Sequence, residues 1–117
     1  MPTLILNITK DEGSWAHCKK LIDCGRWDKV IAFCDINAQK NFSTCKEIKK
    51  FAIDFSKKIP ELSEDMHAKL SSIEDLEVYV NFVSGSGREH MALISAILKS
   101  GLGMRLIVAT ADGVKEI

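Results

Sequence analysis

The sequence has no surplus of charge: 16 Lys+Arg face 16 Asp+Glu, and the formal net charge at pH 7 is zero. Proteins that grip duplex nucleic acid through its phosphates carry an excess of base, so the balance argues against that class. There is no apolar run approaching the ~20 residues needed to cross a bilayer. Met1-Pro2-Thr3 leads directly into an apolar segment without a basic stretch or cleavage site, so neither a membrane association nor an export signal is expected. Repeats, low-complexity segments and linkers are also missing. The four cysteines, Cys18, Cys24, Cys34 and Cys45, include no C-x-x-C pair and match no zinc spacing. They are expected to be reduced, cytosolic and mostly buried, with no metal and no cofactor.

What remains is a chain of 117 residues, 46% hydrophobic, which predicts one domain over 1–117 with a real core and little room for a second module. The neutral total hides an asymmetry: residues 1–58 hold eleven basic and seven acidic side chains, residues 59–117 five and nine. β-rich runs alternate with segments of helical period. Thr3–Ile8 reads as a strand buried on both faces. Trp15, Cys18, Leu21 and Ile22 mark one helix face, with Asp11 or Ser14 to cap its start and Gly25 to stop it. Lys29–Cys34 is a second strand, followed by a short helix near Asn37–Phe42. Ile48–Phe55, with Phe51, Ile53 and Phe55 alternating, is a third strand, and Pro60 opens a helix to about Ser72.

Glu77–Val83 is the fourth strand. A helix from Arg88 to Ser100 follows, its apolar set including Met91 and Leu98, and then a strand over Met104–Thr110. The Asp112-Gly113 turn allows Val114–Ile117 to fold back as a sixth, antiparallel edge strand. The expected fold is an α/β three-layer sandwich, Rossmann-like or flavodoxin-like, with a mostly parallel five-stranded sheet.

In such sheets ligands gather beyond the carboxyl ends of the strands, at the point where strand order reverses. Two loops have suitable chemistry there: Thr9-Lys10-Asp11-Glu12-Gly13-Ser14 and Ser84-Gly85-Ser86-Gly87-Arg88. The second combines glycines that permit close approach, two hydroxyls, a helix N-terminus and a guanidinium suited to phosphate or carboxylate. The candidate ligand-binding residues are therefore Thr9, Lys10, Asp11, Ser14, Ser84, Gly85, Ser86, Gly87 and Arg88. The spacing is neither a P-loop nor G-x-G-x-x-G, since Gly85 and Gly87 are followed by His90. His90 lies one turn into the helix, as an acid/base or stacking group or simply a surface residue. Asp35 and Asp54 both end strands and form an acidic pair of unknown separation, while Cys34 ends the second strand as core filler or a reactive thiol.

The segment Glu77-Val78-Tyr79-Val80-Asn81-Phe82-Val83-Ser84-Gly85-Ser86-Gly87-Arg88-Glu89-His90-Met91 resembles the fourth-strand motif of CRISPR-associated Rossmann-fold (CARF) domains. That motif is an apolar strand with Asn or Asp, then Thr/Ser-Gly-Gly-Thr/Ser-Lys/Arg, then a Met near the helix start. Ser84, Gly85, Arg88 and Met91 carry the likeness; Ser86 replaces the second glycine, and Met91 falls one residue later than usual. Thr9–Ser14 resembles the family's first ligand-contacting loop. The resemblance implies a cytoplasmic homodimer in antiviral defence that binds a cyclic oligoadenylate or similar nucleotide across a two-fold axis. Some stand-alone relatives cleave that ring, acting as ring nucleases, and an enzymatic version of this chain would need no metal. The chain stops after the Rossmann-like core, so on this reading any effector lies in a partner.

Three functions follow. The first is a nucleotide-sensing module, either binding only or also cleaving by placing a ribose 2′-hydroxyl in line with its phosphate. In that version Lys10 and Arg88 stabilise charge, and His90 or Ser84 assists proton transfer. The second is a structural or interaction protein without a small ligand, suited to sheet-edge pairing. The third is a small sulfur-relay protein with Cys34 as carrier.

Overall fold

Every residue of Thr3–Ile8 is buried, and only a strand flanked by helices on both faces can bury six consecutive side chains. This strand, β1, stands at the centre of the sheet in a computed structural model that describes residues 2–117. It is followed by a 3-10 turn at Glu12–Ser14 and then α1 (Trp15–Cys24), β2 (Lys29–Cys34), α2 (Ile36–Asn41) and β3 (Lys49–Ala52). The second half runs α3 (Ile59–Leu70), β4 (Glu77–Asn81), α4 (Gly87–Lys99), β5 (Gly103–Thr110) and β6 (Gly113–Glu116). The strand order is β3-β2-β1-β4-β5-β6, parallel except for the antiparallel β5–β6 pair. The expected Rossmann-like α/β sandwich is the observed fold, including the sixth strand.

The period of two along the strands sorts the core into layers. Leu4, Leu6 and Ile8 of β1 meet Val30, Ala32 and Cys34 of β2 under α1 and α2. Ile5, with Ile31, Phe33, Val78 and Val80, lies under α3 and α4. The chain crosses to β2 and β3 on one side of β1, then returns to β4 on the other, which places α1 and α2 on one face and α3 and α4 on the opposite one. No helix among the described residues is long and apolar enough to cross a membrane.

Several boundaries differ from expectation for local reasons. β3 ends at Ala52 rather than Phe55 because Asp54 turns the chain: its Oδ1 accepts from Ser56 N at 3.0 Å and Ser56 Oγ at 2.6 Å. β4 ends at Asn81 rather than Val83, because Asn81 Oδ1 accepts from Val83 N at 3.1 Å. α1 has Ser14 at its N-cap without a side-chain cap bond, while Asp11 caps the preceding 3-10 turn through Gly13 N. Gly25 does end α1, in extended rather than left-handed geometry. A β-carbon there would overlap the Trp27 indole, whose Nε1 donates to Leu21 O at 2.9 Å. Met91 and Leu98, two of the apolar residues that marked this helix in the sequence, are exposed on α4.

Two of the four cysteines are buried rather than most of them: Cys18 and Cys34 lie in the α1 layer, and Cys24 and Cys45 are exposed. Burial pushes both the Cys18 and Cys34 thiols up to about 12, against ~8.5 for an unfolded cysteine. Above pH ~8.5 the unfolded chain releases protons that the native state retains, so stability falls as pH rises from about 9 towards 12. Denaturation midpoints should therefore drop steadily through this range, and less steeply in Cys18→Ala. In native protein at neutral pH, a disulfide-exchange thiol reagent should label Cys24 and Cys45 and leave the other two until unfolding. Equal labelling of all four would show that the buried pair is solvated.

Candidate functional site

β1 leaves the sheet towards β2 and β4 leaves it towards β5, so the connections diverge and a crevice opens at the carboxyl ends of β1 and β4. The loops expected to face each other here do so, and they are bonded. Thr9 N donates to Ser84 Oγ at 3.0 Å, and the Thr9 and Ser84 hydroxyls lie 3.1 Å apart, both residues being buried. Trp15 Nε1 donates to Thr9 O at 2.8 Å from the far side. His90 Nε2 donates to Ser84 O at 3.0 Å, with its ring edge-on to Phe82. Gly85 sits at φ +100°, and a β-carbon there would meet Thr9 Cγ2 at 3.2 Å. Only glycine lets the second loop lie this close to the first.

α4 begins immediately after this loop. Ser86 occupies its N-cap but makes no side-chain cap bond to the backbone; its hydroxyl donates instead to Glu89 Oε2 at 2.6 Å. The first-turn amides therefore lack a side-chain cap, and the helix's positive end is complemented by the Glu89 carboxylate alone. Gly87 faces open space, with nothing within 4 Å of where a β-carbon would stand. Beneath this turn Asn7 Nδ2 donates to Glu89 O at 3.4 Å, while Asn7 Oδ1 is buried and unpartnered.

The remaining candidates divide by role. Lys10 is exposed on the rim. Asp11 and Ser14 shape the turn behind it: Asp11 Oδ1 accepts from Gly13 N, and Ser14 Oγ donates to Asp11 O at 2.7 Å. Arg88 points across to the β3–α3 connection, where its guanidinium donates to the carbonyls of Phe55, at 3.0 Å, and Lys57. It clamps a neighbouring loop onto α4 rather than facing the crevice.

That clamped loop forms one wall of a cleft of about 620 Å³, whose lining includes Lys10, Asp35, Ile36, Asp54, Phe55 and Glu89. Asp35 and Asp54, whose separation the sequence left open, thus share one cleft. Each has one oxygen engaged locally: Asp35 Oδ1 accepts from Ala38 N at 2.8 Å as the cap of α2, and Ser56 holds Asp54 below the usual carboxylate range. Ile36 is 71% exposed at this cleft. Neither Ile36 nor Phe55 was a sequence candidate; the available signal was that each follows a strand-ending aspartate. The apolar wall and carboxylate rim suit a group that joins an apolar surface to hydroxyl or amino donors.

Asn81, part of the motif but not assigned a role, completes the scaffold. Its Nδ2 donates to Ile107 O at 2.8 Å and lies 3.3 Å from His17 Nε2, which also accepts from Ala109 N at 3.2 Å. Cys34 is fully buried, which removes the accessible thiol that a sulfur carrier requires.

The chain matches no known family model, no curated protein and no solved structure.

The geometry at Gly85 predicts that Gly85→Ala lowers stability by roughly 1–3 kcal/mol, through strain at positive φ and crowding of Thr9. Gly87→Ala, in open space, should be neutral or slightly stabilising. Equal urea midpoints for the two variants would show that the Thr9–Gly85 approach carries no constraint.

Proposed function

We propose that the chain binds a nucleotide at the β1–β4 crevice, with phosphate at the N-terminus of α4 and beside Lys10, and the nucleoside in the adjoining cleft. The carrying observation is the bonded pair of loops at the sheet's reversal point, which presents a helix N-terminus without a side-chain cap. The likeness of Glu77–Met91 to CARF domains supports a cyclic oligoadenylate as the ligand and a CRISPR-associated role in antiviral defence. A symmetric ring of that kind would require two protomers. Free exposed thiols at Cys24 and Cys45 fit a reducing, cytoplasmic setting.

Binding is favoured over cleavage. Ser84 is buried against Thr9, and His90 is tied to the Ser84 carbonyl, so neither stands free to move a proton at the crevice. Arg88 is engaged on the opposite loop.

Thermal unfolding with cyclic tetra-adenylate or cyclic hexa-adenylate should rise by several degrees at saturating ligand. Linear oligoadenylate and AMP serve as controls, and Lys10→Ala should reduce the shift. The ring should also be recovered intact after long incubation with protein and EDTA. No shift with any of these ligands would sink the nucleotide reading, and ring opening would replace binding by catalysis.

A further inference from the structure

β3 closes one side of the sheet, with β2 as its single strand neighbour. Ile53 N donates to Cys34 O at 2.8 Å, and a parallel ladder engages alternate residues of each strand. Lys49 and Phe51 therefore bond β2 as Ile53 does, while the amides and carbonyls of Lys50 and Ala52 point away from the sheet. No hydrogen bond among the described residues takes those four groups. On the α3 side of this edge, Lys49 Nζ lies 5.2 Å and Lys69 Nζ 5.4 Å from the centre of the Phe51 ring. On the α2 side, the Lys50 ammonium holds the carbonyls of Gln39 and Phe42 at the end of α2, whose last turn carries exposed Lys40. The ion pairs among the described residues use Lys57 and Arg105, and none includes Lys40, Lys49 or Lys69. Residues 40–58 hold six lysines against Glu47 and Asp54, so the basic surplus of the first half of the chain is gathered around this edge.

We propose that the β3 edge receives an acidic, extended segment of a partner protein as an added strand. The segment's backbone pairs with the outward groups of Lys50 and Ala52, and its carboxylates alternate onto the side of Lys49 and Lys69. These two lysines crowd like charge around one ring, and a carboxylate from the added strand relieves that repulsion. The chemistry separates this occupant from others. Nucleic-acid phosphates accept hydrogen bonds and so leave the outward carbonyls of Lys50 and Ala52 unserved. A second copy pairing by the same edge sets lysines against lysines, and like charges directly opposite destabilise a ladder. Lysine on an edge strand ordinarily keeps other strands away; here it turns away neutral and basic strands and admits an acidic one. The inference stands apart from the nucleotide reading, since it concerns the outer side of β3 and not the start of α4.

The probe is a fluorescein-labelled peptide of alternating glutamate and valine, with alternating lysine and valine as its control. Fluorescence anisotropy should give the acidic peptide a Kd of ~10–100 µM at low salt, weakening as salt is added. Lys49→Glu/Lys69→Glu should weaken binding by about tenfold or more. Lys99→Glu/Lys115→Glu, the same change in net charge placed on α4 and β6, should leave it unchanged. Ala52→Pro removes an outward amide where an edge strand tolerates proline and should also weaken binding, the melting profile showing that the fold survives. Methylating the peptide's own amides tests pairing without touching the protein: one alternate set should abolish binding and the other should not. No binding of the acidic peptide at ~1 mM, equal losses in the two charge-reversed variants, or equal binding of the two methylated peptides would each overturn the proposal. Binding of oligouridylate in place of the peptide, lost in Lys49→Glu/Lys69→Glu, would overturn it too by assigning the patch to nucleic acid. Melting shifts with cyclic oligoadenylate are independent of every one of these outcomes.

Discussion

A pair of buried hydroxyls, Thr9 and Ser84, joins the two halves of the molecule where they would otherwise part. The sheet diverges at β1 and β4, and the backbone beyond each strand end has left the ladder that would satisfy it. Ser84 Oγ takes the Thr9 amide, and the two hydroxyls satisfy each other. A buried donor left unpaired here would carry a penalty of about 1–3 kcal/mol. The bond also sets distances around it: Trp15 of α1 is anchored to the Thr9 carbonyl and His90 of α4 to the Ser84 carbonyl. One helix from each face of the sheet is thereby referenced to the same contact, and the start of α4 is placed over the crevice by it.

The same device recurs at the other strand ends. Asn81 closes β4 by bonding its own loop, the neighbouring β5 and the region of His17. Asp35 closes β2 by capping α2, and Asp54 closes β3 by turning back on Ser56. Short polar side chains that bond nearby backbone end regular structure because they offer it an alternative partner. The polar ring at the carboxyl edge of the sheet is therefore first a set of terminators. Its chemistry towards a ligand comes from what the terminators leave free: the second oxygens of Asp35 and Asp54, Lys10 and the first turn of α4.

Much of the fold was legible because burial on two faces leaves an unmistakable run such as Thr3–Ile8, and the Asp112-Gly113 turn announced the last hairpin. Periodicity misled in one place and was silent in another. Phe51, Ile53 and Phe55 alternate like a strand, yet the Asp54 turn outcompetes the ladder once β2 has ended at Cys34. Met91 and Leu98 keep helical spacing with the core residues Ala92, Leu93, Ala96 and Ile97, but spacing does not reveal which side of a helix lacks a neighbour. At the site, the glycine–serine composition located the loop correctly. Composition could not show that Ser84, Asp11, Ser14 and Arg88 use their donors and acceptors within the protein, because that depends on distances between segments far apart in the chain.

The neutral charge of the chain and the proposed anionic ligand are compatible only if recognition is short-ranged. The cleft carries Asp35, Asp54 and Glu89 against Lys10, so its field does not draw polyanions from a distance. Attraction must come from groups that act within a few ångströms: first-turn amides of α4, whose influence fades within one helical turn, and the apolar wall of Ile36 and Phe55. Carboxylates in that wall then select rather than repel, because a ribose hydroxyl or an exocyclic amine is a donor that they can accept. A ligand offering only phosphates would meet the carboxylates without compensation. On the proposed reading a nucleoside attached to its phosphate would satisfy both ends of the crevice at once, while Arg88 holds the cleft wall against α4.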